Sequence, residues 1–467
     1  MTRRRMRFLD LVLFTLATSV SIRWLPGAAA AGPVSLFMWA AAMLGFMIPL
    51  IVATMELTAR FPGEGGLYAW ARETLGPFTG FVCGWLYWTC NLPFFSGLLV
   101  FIVNALALAA GRHLGPIIQQ PPVFLGVSLA LAIGVAVLHL LGLGAGKWVS
   151  NFGTTAMFGL LAVLIAAGVA RALGPVGPAT DLIHTSWRPP INADGAILWS
   201  IMVFAFGGPE SLAFLRDEIE GGAKKVVQIL TTVGVLQVLA YGIGTLAMLA
   251  ILTPAQNSRL SGVPQALYSG LTLLGVPSLT PIALVLLALA FLGGYSAWFG
   301  VAARLPFAAG VDEVLPRSFG YRSPRTGAPV VSILVQALAT VVLVAIGQGG
   351  ANLRATYDFL VSMSVLSYTL PFVFLFLIYL KVQGRPQLAD GWTPPGGVWT
   401  ARIAGVAGLL VTISAILCTL APSPDTVDKV GAVMKLVISS AVLVLSGVAA
   451  WGLAWLRKRR VSMAGAS

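Results

Sequence analysis

The sequence predicts an all-α integral membrane protein of twelve transmembrane helices. Of its 467 residues 58% are hydrophobic and only 10% are charged, and the mean hydropathy is +0.90. So few polar groups cannot cover a water-soluble globule. The apolar runs also reach the ~20 residues needed to cross about 30 Å of hydrocarbon as helices, and they lack the alternation of barrel strands.

The runs fall near 8–31, 33–59, 78–110, 122–144, 147–171, 196–215, 226–252, 279–309, 328–347, 356–381, 402–421 and 429–456. The first is interrupted midway by Ser19-Val20-Ser21-Ile22-Arg23 and then by Pro26-Gly27. A charge inside a span costs ~2.5–3.5 kcal/mol on insertion scales, so Arg23 marks function by default. A second interruption, Ala205-Phe206-Gly207-Gly208-Pro209-Glu210, cuts the sixth run. Two broken spans in corresponding places point to a secondary transporter with its site at the breaks.

Between the spans, 60–77 is dense in turn formers and then reads as a short amphipathic helix, Ala69 to Leu75, ahead of Gly76-Pro77. The most charged run, 216–225, reads as a solvated helix end, with a gating ion pair as the sharper alternative. The loop 310–327 is long for a bundle connection and reads as structured. The longest extramembrane stretches are read near 172–195 and 382–401, too small for a core of their own.

An even number of spans places both termini on one side of the membrane. Distributing Lys and Arg over alternate loops puts 21 of the 29 on that side, including Arg3, Arg4, Arg5 and Arg7 of the arm 1–7 and Arg457, Lys458, Arg459 and Arg460 of the tail 457–467. Seven fall opposite, and Arg23 stays in the membrane. This bias predicts cytoplasmic termini and, in a bacterial cell, an inner-membrane location. It also disposes of the net charge of +13. The basic residues are spread over short loops that face anionic headgroups of the lipid bilayer, with no basic, aromatic-interleaved domain for nucleic acid.

Other classes find little support. Cys83, Cys90 and Cys418 fall inside spans without CxxC spacing, and His113, His139 and His184 are scattered, so neither a metal nor a cofactor is expected. The basic start followed by apolar residues leads directly into further spans, unlike a cleaved secretory signal. No nucleophile–base or metal motif of an enzyme is present, nor the repeated pore loops of a channel.

Several motifs together carry a family resemblance. They are Pro26-Gly27 with Ala31-Gly32-Pro33; Glu56-Leu57-Thr58-Ala59-Arg60-Phe61-Pro62 with Gly65-Gly66-Leu67-Tyr68; Gly84-Trp85-Leu86-Tyr87-Trp88; Phe204 through Glu210 leading to Glu218; and Arg304 with Ala308 through Pro316. In this order and spacing the chain resembles the amino acid–polyamine–organocation transporters. The resemblance implies the leucine-transporter fold, two inverted repeats of five helices plus two more, here 8–171, 196–381 and 402–456. It implies transport of amino acids by alternating access, with span 1 taking a substrate carboxylate and span 6 its amine.

By the same resemblance, Ser19, Val20, Ser21, Ile22 and Arg23 at the first break, and Phe204, Ala205, Phe206, Gly207 and Gly208 at the second, bind substrate. Phe204 stands at an aromatic gate, Trp298 lines the cavity from span 8, and Asn91 of span 3 bonds substrate or a neighbouring helix. Glu210 braces the half-helices or takes a proton. Tyr295 and Ser296 stand where sodium-coupled relatives supply ion ligands. The chain departs from the family at the first break, where Ser19-Val20-Ser21 replaces the usual Gly-Ser-Gly. It lacks the span-5 lysine of many sodium-independent relatives, and it adds Arg23.

Three readings of Arg23 stay open. It pairs with a substrate carboxylate, or it is a fixed cation bound to helix-end carbonyls or Glu210, or it reaches the outer interface. An obligate cation there argues against sodium and for proton symport or exchange. The apolar surroundings favour a neutral, bulky amino acid. The alternatives are an amine or polyamine carrier, a transport-inactive receptor and a subunit that works with a partner protein, though transport by the chain itself requires no partner subunit.

Overall fold

Helices dominate the computed structural model, which describes residues 7–464 apart from 62–64, 183, 186, 220, 312–313, 349–352, 387–390 and 423–427. Arg3, Arg4, Arg5, Pro62, Gly63, Glu64, Glu220, Asp312 and Glu313 lie outside the described residues. Eleven helical segments, from Phe8–Ala29 to Lys429–Arg457, are long and apolar enough to cross a membrane. The helix Val330–Gln348 is as apolar but shorter, and it completes the expected twelve. No strand occurs among the described residues.

Span 1 comprises Phe8–Ser19 and Leu25–Ala29, separated by extended residues Val20 and Ser21 and a single 3-10 turn, Ile22–Trp24. Pro26 explains the break. It has no N–H to give Ile22, and its ring would press on that carbonyl, so a helix arriving from Phe8 must stop and restart with proline in its first turn. Span 6 runs from Ala193 to Ala205, opens at Phe206–Gly208 and resumes as a 3-10 helix, Pro209–Glu218. Here Pro209 denies a donor to the Ala205 carbonyl, and Gly208 turns the chain at φ +116°.

Spans 3 (Pro77–Ala109), 5 (Leu143–Leu173), 7 (Gly222–Ile251), 8 (Thr280–Val311) and 10 (Leu353–Val382) surround the two breaks. Span 3 is interrupted for one residue at Cys90, where Pro93 cannot donate to Thr89. Spans 5 and 8 touch backbone to backbone: a Cβ on Gly153 or Gly293 would lie 2.7 Å from the other's Cα. Small residues that admit such approach are how helices associate in lipid.

Ion pairs lie toward the ends of the bundle. Asp10 of span 1 accepts from Lys147 Nζ at 2.5 Å and from Asn151 Nδ2 at 3.1 Å, and Thr154 Oγ1 donates to Leu13 O. These contacts tie the first half of span 1 to span 5. Glu56 accepts from Arg60 at 2.8 Å and from Tyr379 Oη at 2.9 Å. Elsewhere Arg259 lies 3.6 Å from Asp358.

One expectation about the loops needs correction. The longest connection is between spans 7 and 8 and folds into Pro254–Gln256, Gly262–Leu273 and Pro277–Leu279, whereas the stretches near 172–195 and 382–401 are shorter. Its apolar content hid a surface helix. In the run 216–225 the 3-10 segment ends at Glu218, Ile219 is buried and Lys224 is exposed. The short helix after the 60–77 turn is present as Gly66–Leu75, and the 310–327 loop holds a 3-10 turn at Arg317–Gly320.

Candidate functional site: a cavity between two broken helices

When a helix stops inside a membrane, its freed N–H and C=O groups need partners from the protein or a ligand. Much of that need is met from span 7. Gln237 Nε2 donates to Ser19 O at 2.8 Å and to Ala205 O at 3.1 Å. One turn later Tyr241 Oη stands 3.1 Å from Ser19 O and 2.9 Å from Ala205 O, and receives the Ser21 N–H at 3.3 Å. The orphan carbonyl of each break thus meets the same two side chains. The Trp298 indole N–H donates to Thr18 O at 3.0 Å.

Glu210 ties the second break to the scaffold. It is 1% exposed, and its Oε1 accepts from Tyr87 Oη at 2.7 Å and Tyr368 Oη at 2.5 Å, while Oε2 accepts from Gly208 N at 2.9 Å. One carboxylate therefore joins spans 3, 6 and 10. The two breaks also touch directly: Thr18 Oγ1 lies 2.7 Å from Ser211 Oγ, and Gly208 packs on the Thr18–Ser19 backbone.

These contacts frame a cavity of about 50 Å³. Its walls are helical stripes: Asn91, Phe94 and Leu98 from span 3, Thr154 and Met157 from span 5, and Ala290, Phe291, Gly294 and Trp298 from span 8. The breaks contribute Ser19, Val20, Ser21, Arg23, Trp24, Phe204, Ala205 and Gly207. Phe204 meets Trp24 edge-on at 5.3 Å and Tyr368 at 5.1 Å.

Arg23 is 3% exposed. Its guanidinium carbon lies 4.0 Å from the Trp24 ring centre and 4.7 Å from that of Phe94. It forms no hydrogen bond or ion pair with a described residue, and no acidic side chain is among the residues lining the cavity. Among the described residues it is buried within the bundle, and no hydrogen bond joins it to Glu210 or to a helix-end carbonyl.

Of the residues singled out from sequence, Ser19, Val20, Ser21, Arg23, Asn91, Phe204, Ala205, Gly207 and Trp298 line the cavity. Asn91 also donates to Tyr87 O within its own helix. Ile22, Phe206, Gly208, Tyr295 and Ser296 do not line it. Phe206 packs on Trp39 at 5.2 Å and Tyr241 at 5.4 Å, and Tyr295 on Phe95 at 4.9 Å. Ser296 faces span 4 (Pro121–Leu140), where His139 Nε2 lies 2.9 Å from its carbonyl and 3.2 Å from its hydroxyl. Gly208 and Glu210 brace the walls from behind.

The family model described as amino acid permease matches residues 6–446. The chain belongs to that family. The permease is 27% identical over 428 residues to an uncharacterised transporter of Legionella pneumophila, covering 90% of each chain. It is 21% identical over 402 residues to the probable agmatine/putrescine antiporter AguD of Lactococcus lactis, covering 84% of the permease and 83% of AguD. Among solved structures, MhsT in complex with L-phenylalanine superposes with a TM-score of 0.63 at 15% identity, over 88% of the permease and 100% of MhsT. The permease thus has the leucine-transporter fold with spans 1 and 6 broken, as the resemblance implied.

Gln237, Tyr241 and Tyr368 escaped the sequence reading, and Tyr87 entered it only as part of the Gly84–Trp88 motif, without a role at the site. A polar pair at 237 and 241, four apart in an apolar helix, was the available signal. Gln237→Leu combined with Tyr241→Phe should orphan two buried carbonyls at about 1–3 kcal/mol each. A marked fall in melting temperature in detergent is expected, with a smaller fall for either change alone.

Proposed function

We propose that the permease is a secondary transporter that carries a neutral amino acid across the cytoplasmic membrane by alternating access, independently of sodium. The observation that carries this reading is the cavity itself, which both broken helices line together with spans 3, 5 and 8. Substrate at that point touches the elements whose rearrangement would open one side or the other, so its binding can favour one state over another. Apolar and aromatic walls suit a bulky neutral side chain. The two repeats, residues 8–171 and 196–381, each supply one broken helix, and the basic loops favour cytoplasmic termini.

Sodium independence is supported by two features. Ser296 is engaged by His139, and Arg23 places a cation on the cavity wall. Proton symport or exchange then supplies the driving force. An amine substrate of the kind named for AguD is disfavoured, because the described residues of the cavity wall include a cation and no carboxylate.

Proteoliposome uptake of labelled neutral amino acids tests the reading, with and without sodium, an imposed pH gradient and a preloaded internal pool. Uptake indifferent to sodium and raised by the gradient or the pool is expected. Preferential uptake of putrescine or agmatine would favour the amine reading. Ligand-induced stabilisation with no uptake under any condition would favour a receptor.

A further inference from the structure

The charge balance of the cavity narrows the substrate class further. A buried cation is costly unless it is paired, and Arg23 meets only the faces of Trp24 and Phe94 within the described protein. A second polar group beside it is also unpaired: Ser19 Oγ is buried without a hydrogen-bond partner and lines the same cavity. The pocket therefore offers a planar fork of N–H donors and a hydroxyl, and lacks an anion to receive them.

The carbonyls an ammonium group would turn to at the breaks are already partly engaged. A carbonyl oxygen has two lone pairs. The two N–H groups of Gln237 serve Ser19 O and Ala205 O together, and the single Tyr241 hydroxyl proton adds a second bond to one of them at a time. The Phe204 carbonyl receives the Gly207 N–H. The Glu210 carboxylate already accepts from two tyrosine hydroxyls and one backbone N–H, and it does not line the cavity.

We propose that Arg23, with Ser19, reads a substrate carboxylate, and that the α-amino group is dispensable. The ligands of this site are then carboxylates with an apolar body, with or without an amine, and amines lacking a carboxylate are excluded. This rests on the substrate site lying at the two breaks. Arginine–carboxylate pairing is bidentate and charge-assisted, which a lysine in the same place would reproduce only in part.

Matched ligand sets on the purified permease provide the test, with thermal stabilisation and Trp fluorescence as readouts. The probes are 3-phenylpropionate, L-phenylalanine and phenethylamine, and likewise hexanoate, L-norleucine and pentylamine. Both carboxylate-bearing members of a set should bind with affinities within about tenfold of each other, and the amines should not bind. Arg23→Met should weaken the carboxylates by roughly ten- to a hundredfold, the worth of a charge-assisted hydrogen bond, and Arg23→Lys by less.

In the absence of ligand, Arg23→Met should melt higher than the wild type, since it removes an unpaired buried charge. A purely structural arginine would give the reverse. Val20→Trp, which fills the cavity from extended backbone, should abolish all binding. Carboxylates that survive Val20→Trp would show that the site lies elsewhere. Carboxylates lost in Val20→Trp yet retained in Arg23→Met would leave the site standing and overturn the charge reading. Amines that bind as well as carboxylates, or a wild type that responds to no carboxylate, would also overturn it.

Discussion

Glu210→Leu should remove nearly all folded, transport-competent permease. The carboxylate is buried and accepts from Tyr87, Tyr368 and Gly208 N. Leucine fills the space and leaves three buried donors without an acceptor. Each orphan costs about 1–3 kcal/mol, so even the low end takes a large share of the ~5–15 kcal/mol typical of a folded protein. Glu210→Gln is the informative comparison. Its amide oxygen can still receive the tyrosines, but its NH2 then opposes the Gly208 N–H, so one donor pair clashes rather than three being orphaned. The expected order by size-exclusion yield and melting temperature is wild type, then Gln, then Leu. A Leu variant as stable as the wild type would show that the carboxylate holds nothing together.

Gly208→Ala should be nearly as damaging, for a steric reason. Gly208 has φ +116°, where a side chain costs about 1–3 kcal/mol before any contact is made. The added Cβ would also overlap Thr18 O and come within 2.6 Å of Ser19 Cα. Both obstacles are backbone of the first break, which Gln237, Tyr241 and Trp298 hold in place, so no side chain can swing aside. A transport rate at least about tenfold lower per folded molecule is expected, since each ~1.4 kcal/mol is a factor of ten. Gly159→Ala serves as the control. That glycine is exposed on span 5 with nothing within 4 Å of a new Cβ, and alanine there should be neutral or slightly stabilising.

The helical fold and both breaks were legible because their causes are local. Hydropathy over about 20 residues marks a span, and Pro26 and Gly207-Gly208-Pro209 mark places where a helix cannot continue. The cavity wall was legible where a regular helix carries it, as at Asn91 and Trp298. Helical spacing also held an unused warning: Ser296 and Trp298 are two residues apart, about 200° around the axis, so they cannot share a face. Within the breaks the period is lost. Nothing in Ser21-Ile22-Arg23 says that Arg23 lines the cavity while Ile22 packs into the core. The partners were harder still, since Gln237 and Tyr241 act on carbonyls more than 30 residues away in one case and more than 200 in the other.

The shared grip of Gln237 and Tyr241 limits how this machine can move. Separating the interrupted rods at their midpoints would strip at least one of these buried carbonyls of its partners, so the midpoints and span 7 behave as a single yoke. Under the alternating access proposed above, rocking would then occur at the far ends. Toward one end lies the Asp10–Lys147 latch between spans 1 and 5, and elsewhere the looser Arg259–Asp358 contact. The permease would work as a lever whose fulcrum stays clasped while its tips alternate.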